Sequence, residues 1–194
     1  GMWNAGRGKA SAAIKMQKNG VITVQTAMTD IGTGTGTGMQ NIAHDITGIP
    51  KNNIKIELGN SNLPPAPSQG GSNGMSSVSG AIVEVSKALK LKLAEYASLQ
   101  NDKFKNVKPD DVLLSDKGIS LKATTKDFVS YDEIWKKNNL DILEVEGSSG
   151  PGEERKKYSF CSSAAHFCKL RVNTKTGKVK IEKIQFNKGS MGLQ

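Results

Sequence analysis

The chain has 194 residues, 36% apolar and 23% charged, with 27 Lys and Arg against 18 Asp and Glu. That length suits one domain or one domain with a small annex. No apolar run reaches the ~18 residues of a membrane span, no apolar leader gives it a secretory address, and two cysteines cannot build a disulfide scaffold. The expected setting is therefore cytoplasmic or periplasmic, with no membrane span.

Ala12, Ile14 and Met16 alternate with polar or small residues, Asn19-Gly20 follows, and Ile22, Val24 and Met28 continue the alternation. Two alternating runs joined by Asn-Gly predict a hairpin over 11–28. Residues 30–38 read Asp-Ile-Gly-Thr-Gly-Thr-Gly-Thr-Gly, and Met39, Ile42, Ala43 and Ile46 then recur at helical spacing before Gly48 and Pro50. Ile54, Ile56 and Leu58 form a strand pattern. Residues 59–77 have no period and are rich in Pro, Gly, Ser and Asn, which marks a functional or disordered loop. Val78, Ile82, Val85, Leu89, Leu93 and Tyr96 trace one face of a long helix, expected from about residue 75 to 99.

In the second half, 112–114 and 119–121 predict a short hairpin and 131–137 a short helix. Residues 146–157 read as a linker-like break, and 170–184 as a last hairpin. Hairpins mixed with helices give an α+β class: a mixed sheet packed with one long and one or two short helices. The chain reads as one subdomain in two parts, 1–100 with the glycine loops and 101–194 with the smaller hairpins.

The glycine loops carry the chemistry. A glycine loop running into a helix start offers backbone N–H groups where the helix dipole favours an anion. Gly32, Thr33, Gly34, Thr35 and Thr37 precede one such start. Gly70, Gly71, Ser72, Asn73, Gly74 and Ser76 precede the other. Two starts close together can cradle a phosphate or pyrophosphate; the alternative is two tight turns that use glycine for positive φ. Alternating glycines do not make the dinucleotide fingerprint, and no P-loop lysine is present.

Other candidates are weaker. Cys161, His166 and Cys168 do not have zinc spacing, and cysteines seven apart on a straight strand lie ~23 Å apart on opposite faces. His44 on the first helix reads as a packing or surface residue, and no acid–base set is complete. No protein metal ligand is expected. The basic excess is spread, 9 against 5 acidic in residues 1–100 and 18 against 13 in 101–194, with 5% aromatics. That argues against a nucleic-acid partner.

The first glycine loop with Gln40-x-Ile42-Ala43 resembles the molybdenum-binding subunit of the xanthine dehydrogenase/aldehyde oxidase family. The run Ile56-Glu57-Leu58-Gly59-Asn60-Ser61-x-Leu63-Pro64-Pro65-Ala66-Pro67-x-x-Gly70-Gly71-Ser72-x-Gly74 is more similar still. It resembles the branch with periplasmic-type aldehyde oxidoreductases and isoquinoline 1-oxidoreductase. Phe160–Val172 and Thr176-Gly177-Lys178-Val179 are similar to the family's later strand pair.

The resemblance implies a molybdopterin, as the cytosine dinucleotide, with molybdenum held by its dithiolene, and both glycine loops touching pterin and phosphates. It implies as partners the rest of a molybdenum subunit, iron–sulfur and flavin subunits, and an aldehyde or N-heterocycle substrate. The family's subunits are several times longer, and their catalytic glutamate lies in a segment that nothing here matches. The expectation is a cofactor-binding subdomain, inactive alone, ending near Gly189-Ser190-Met191-Gly192. The alternative is a non-catalytic basic scaffold that binds partner subunits or an anion.

Overall fold

The computed structural model describes residues 1–4 and 6–189; Ser190, Met191 and Gly192 fall outside the described residues. The chain forms two compact units. One is Gly1–Gly6 with the chain from Gly152 on; the other is Arg7–Pro151. The break lies within the stretch that reads as a linker.

In chain order, the strands begin with β1 (Met2–Asn4), β2 (Ala10–Met16) and β3 (Ile22–Thr26). Helix α1 (Thr35–Thr47), β4 (Ile54–Leu58) and helix α2 (Gly74–Ala97) follow. Then come β5 (Val112–Leu114), β6 (Gly118–Leu121), β7 (Phe128–Ser130), helix α3 (Tyr131–Asn138) and β8 (Leu143–Ser149). The last strands are β9 (Cys161–Val172) and β10 (Val179–Gly189). The class is α+β.

The larger unit is built on a four-stranded mixed sheet, order β4-β3-β2-β8. β2 and β3 form the expected antiparallel hairpin. Its turn needs Gly20, at φ 81°, because a Cβ there would lie 2.7 Å from the Asp116 carbonyl. β4 pairs with β3 in parallel, so α1 is the crossover of a βαβ unit. Ala12, Ile14, Met16, Ile22, Val24 and Ile54 are buried from the sheet, with Met39 and Ala43 of α1. α2 buries Val78, Ile82, Val85, Leu89 and Leu93 as its period predicts, and also Ala81, Ser86, Lys90, Ala94 and Ala97. Its buried surface is wide because it also packs against β5 and α3. β5, β6 and β7 make a small antiparallel sheet, whose third strand has no clear sequence signal.

One expectation is corrected here. Residues 143–149, half of which read as linker, are strand β8, paired with β2 from Ala10↔Ser149 to Met16↔Leu143. Small residues mask the strand because α2 lies directly on it. A Cβ at Gly147 would meet the Val85 backbone at 2.5 Å, and one at Gly80 would meet Ser149 Oγ at 2.5 Å.

The smaller unit is a three-stranded sheet, order β1-β9-β10. The predicted last hairpin is present and longer than 170–184. Its turn closes with Gly177 at φ 70° and the Asn173 side chain accepting the N–H groups of Lys175 and Thr176. The pairs Val172↔Val179, Leu170↔Ile181, Cys168↔Ile184 and His166↔Phe186 share one face.

Candidate functional site

Helix α1 starts inside the first glycine loop, with Gly34 as its cap residue at φ 77°. The Asp30 carboxylate closes this start. Its Oδ1 accepts from the N–H groups of Gly32 (2.9 Å) and Thr33 (3.0 Å), and its Oδ2 from Gly36 (3.3 Å). The Gly36 hydrogen bond and, with smaller effect, those of Gly32, Thr33 and Gly34 hold the Asp30 carboxyl below its ordinary pKa, against a burial effect that raises it. The helix dipole is thus met by a carboxylate of the chain itself. Gly32, Thr33 and Gly36 already donate their N–H groups to Asp30. Thr35 is buried with its hydroxyl 3.2 Å from that of Thr33, while Thr33, Gly34 and Thr37 stay exposed.

Helix α2 starts differently. Its cap residue, Asn73, makes no side-chain capping hydrogen bond, and no acidic residue stands in the first turn. Gly71 and Ser72 both have φ 58°, the left-handed region that a β-substituted serine seldom adopts. The Asn73 carbonyl accepts from the hydroxyls of Ser76 (3.0 Å) and Ser77 (2.6 Å). The loop ahead is pinned: Pro64 and Pro65 carbonyls accept from the N–H groups of Ala27 and Ser11, each at 2.8 Å, and Gly8 N–H donates to Ser77 Oγ at 2.8 Å. The apparently structureless run is therefore ordered by backbone bonds to β2 and β3.

Two buried acceptors at this start, Gln69 Oε1 and Asn73 Oδ1, have no hydrogen-bond partner. Such atoms ordinarily find one. A Cβ built at Gly74 would overlap the Gln69 amide, so Gly74 is the space in which that amide rests. Gly70 has neither a positive φ nor any atom within 4 Å of a Cβ built on it. Neither conformation nor packing within the chain explains that glycine.

The two starts are neighbours. Met75, the second residue of α2, lies over Gly38 in α1, where a Cβ would sit 3.0 Å from Met75 Cε. Sequence reasoning missed Met75 and Gln69. Gln69 falls on a variable position between Pro67 and Gly70, and only the fold shows its amide turned inward.

The remaining candidates are placed apart from these loops or engaged. His44 Nδ1 lies 2.8 Å from the Ile49 carbonyl, which makes it the donor in a bond that ends α1. Asp45 is exposed on α1. Glu57 accepts from Gln25 Nε2 at 2.5 Å, and its strand neighbours Ile56 and Leu58 pack toward the core. Cys161 and Cys168 are free thiols on β9. A shallow hollow lined by Leu91, Phe104, Asn106 and Val107 includes no residue of either loop.

With this geometry in view, residues 1–187 match the molybdopterin cofactor-binding domain. The chain belongs to that family. Over 179 residues it is 24% identical to PaoC, the aldehyde oxidoreductase molybdenum-binding subunit of Escherichia coli K12, covering 91% of this chain and 22% of that subunit. The chain thus spans about a fifth of the curated relative's length. Quinoline 2-oxidoreductase from Pseudomonas putida 86 superposes with a TM-score of 0.75 at 14% identity, covering 93% of this chain and 23% of that one. CO dehydrogenase from Oligotropha carboxidovorans gives 0.73 at 20% identity, covering 94% and 24%. These likenesses establish the fold. No helix among the described residues is long and apolar enough to cross a membrane.

Proposed function

We propose that this chain holds the pterin and phosphate end of a molybdopterin cytosine dinucleotide within a larger molybdenum hydroxylase. The observation that carries the reading is the α2 start, which lacks a cap and an acid and holds the orphaned acceptors Gln69 Oε1 and Asn73 Oδ1. Phosphate oxygens need N–H donors, and the N–H groups of a pterin need acceptors. Both kinds of group converge here, so the residues fit the cofactor. Gly70, Gly71, Ser72, Asn73, Gly74 and Ser76 form the principal holding segment. Gly32, Thr33, Gly34, Thr35 and Thr37 belong to the second, held in shape by Asp30. When bound, the cofactor supplies the molybdenum centre for hydroxylation with water as the oxygen source.

The whole chain acts in this reading as one subdomain, with the cofactor loops in 1–100 and the smaller hairpin part in 101–194. Its setting is cytoplasmic or periplasmic. Its partners are the rest of a molybdenum subunit and iron–sulfur and flavin subunits, and the assembled enzyme oxidises aldehydes or N-heterocycles. The isolated chain is inactive: Asp30 is bound to backbone, Asp45 is exposed on α1, and Glu57 is paired with Gln25. None is placed to take a proton at a shared pocket.

Cytidine diphosphate, the tail of the proposed cofactor, tests the site by NMR titration. The amides of residues 70–76 are expected to move most and those of Gly32, Thr33 and Gly36 least. Equal or larger shifts with guanosine diphosphate would reject the cytosine form. No shift at millimolar ligand would reject the site.

A further inference from the structure

The β9–β10 hairpin gathers its charge on one face. In the cross-strand register Lys169 stands opposite Lys183 and Arg171 opposite Lys180. Side chains alternate along a strand, so these four cations share one side of the sheet, away from Leu170, Ile181, Ile184 and Phe186. Like charges directly opposite each other weaken a sheet, and here two such pairs are adjacent. The one acid on the hairpin is Glu182, at the irregularity between Ile181 and Lys183. It pairs with Arg171 at 2.7 Å and Lys169 at 3.3 Å. No acid among the described residues pairs with Lys180 or Lys183. The face therefore keeps four cations against one carboxylate.

The Glu182 side chain is 23% exposed, and those of Lys169 and Arg171 above it are 75% and 77% exposed. The carboxylate tethers the two cations, so they lose less side-chain freedom on binding, and their remaining N–H groups stay free to donate. Phe167, two residues along β9 from Lys169 on the same face, is 66% exposed. Arginine beside an exposed aromatic ring is the composition of a protein interface.

These charges select an anionic occupant, and their arrangement selects its kind. Two copies face to face would set four cations against four at a sheet spacing of ~10 Å. A single-stranded nucleic acid would meet one aromatic ring, not a row of them, and would lay phosphates over Glu182. An anionic membrane would gain no insertion beneath the cations, because the apolar side chains lie on the other face. A protein surface can place carboxylates over the cations, a hydrogen-bond donor over Glu182 and an apolar contact on Phe167.

We propose that the face formed by Lys169, Arg171, Lys180 and Lys183 docks an acidic surface of a partner protein. This goes beyond the cofactor reading and does not depend on it.

Poly-L-glutamate, titrated into the full chain at low salt and followed by NMR, is the probe. The amides of 167–171 and 180–185 are expected to shift most. Lys180→Glu/Lys183→Glu should weaken binding about tenfold or more. Lys122→Glu/Lys126→Glu, an equal charge change at exposed lysines of the larger unit, should weaken it less than about twofold. The first double variant turns both like-charge pairs into opposite ones, so its melting temperature should hold or rise while its affinity falls. Lys180→Gln/Lys183→Gln, which adds no charge, should lie between it and the parent chain. No binding, equal loss in the two Glu double variants, or shifts spread along the chain would overturn the proposal. So would a loss of affinity that in both the Glu and the Gln variants at 180 and 183 only follows a fall in melting temperature. Tighter binding of oligothymidylate or of phosphatidylserine vesicles at the same amides would overturn it in favour of nucleic acid or membrane. A dimer in sedimentation that dissociates in Lys180→Glu/Lys183→Glu would overturn it in favour of a second copy.

Discussion

The starts of α1 and α2 have similar glycine-rich sequences and opposite electrostatic states. At α1, Asp30 takes three backbone N–H groups, and the helix is complete without a ligand. At α2 no side chain caps the helix, no acid enters the first turn, and two buried oxygens lack donors. A carboxylate six residues before the second helical N–H answers the helix dipole from within the chain and holds the loop in shape. Glycine content marks where a chain can approach a ligand; the neighbouring charge decides whether the place is already taken.

The difference can be broken most strongly at Gly74. Gly74→Val puts side-chain atoms where the Gln69 amide lies, and a terminal amide can swing away without unfolding the helix. Cytidine diphosphate affinity, followed by NMR, should fall at least tenfold, while the melting temperature changes by only a few degrees. Equal loss of fold and affinity would assign Gly74 to packing alone.

Removing the cap at α1 should act in the other direction. Asp30→Ala leaves the N–H groups of Gly32, Thr33 and Gly36 without their acceptor. The melting temperature is expected to drop by several degrees, with nucleotide affinity at 70–76 reduced much less than by Gly74→Val. Hydrogen exchange should localise the loosening to residues 31–37.

The same carboxylate sets an acid dependence. Because its folded pKa is lowered, the stability it contributes is complete above the unfolded value of about 3.9. That contribution is lost as pH falls through the lower folded value. Melting curves between pH 2 and 6 should therefore slope less in Asp30→Asn than in the parent chain.

The smallest effect on stability comes from making the α2 start resemble that of α1. Ser72 is exposed and left-handed, a conformation that Asp tolerates better than Ser. Ser72→Asp should raise stability by a few tenths of a kcal/mol, about 0.3, through the helix dipole. It should weaken the nucleotide several-fold by repelling its phosphates. Unchanged nucleotide affinity would show that the charge at this start does not govern binding.

The sequence by itself determined the periodic elements and the places where the chain could meet a ligand. The β2–β3 hairpin followed from alternation around Asn19-Gly20, because a pleated strand exposes every second side chain to one face. α2 followed from its apolar stripe, and the strand pair at the end from Leu170, Val172, Val179 and Ile181. Both glycine loops and the family resemblance were legible because the motif residues are local in sequence. Tertiary structure decided the rest, for reasons of long-range distance. β8 was hidden because Gly147 and Ser149 are small to admit the α2 backbone, and no local pattern reports a helix that arrives from 60 residues earlier. The cap at α1, by contrast, was local: Asp30 lies within six residues of every N–H group it accepts. The inward turn of Gln69 and the contact of Met75 with Gly38 depended on packing between elements. Backbone preference and hydrophobic period act over a few residues; hydrogen-bond satisfaction is settled only when the whole chain has closed around it.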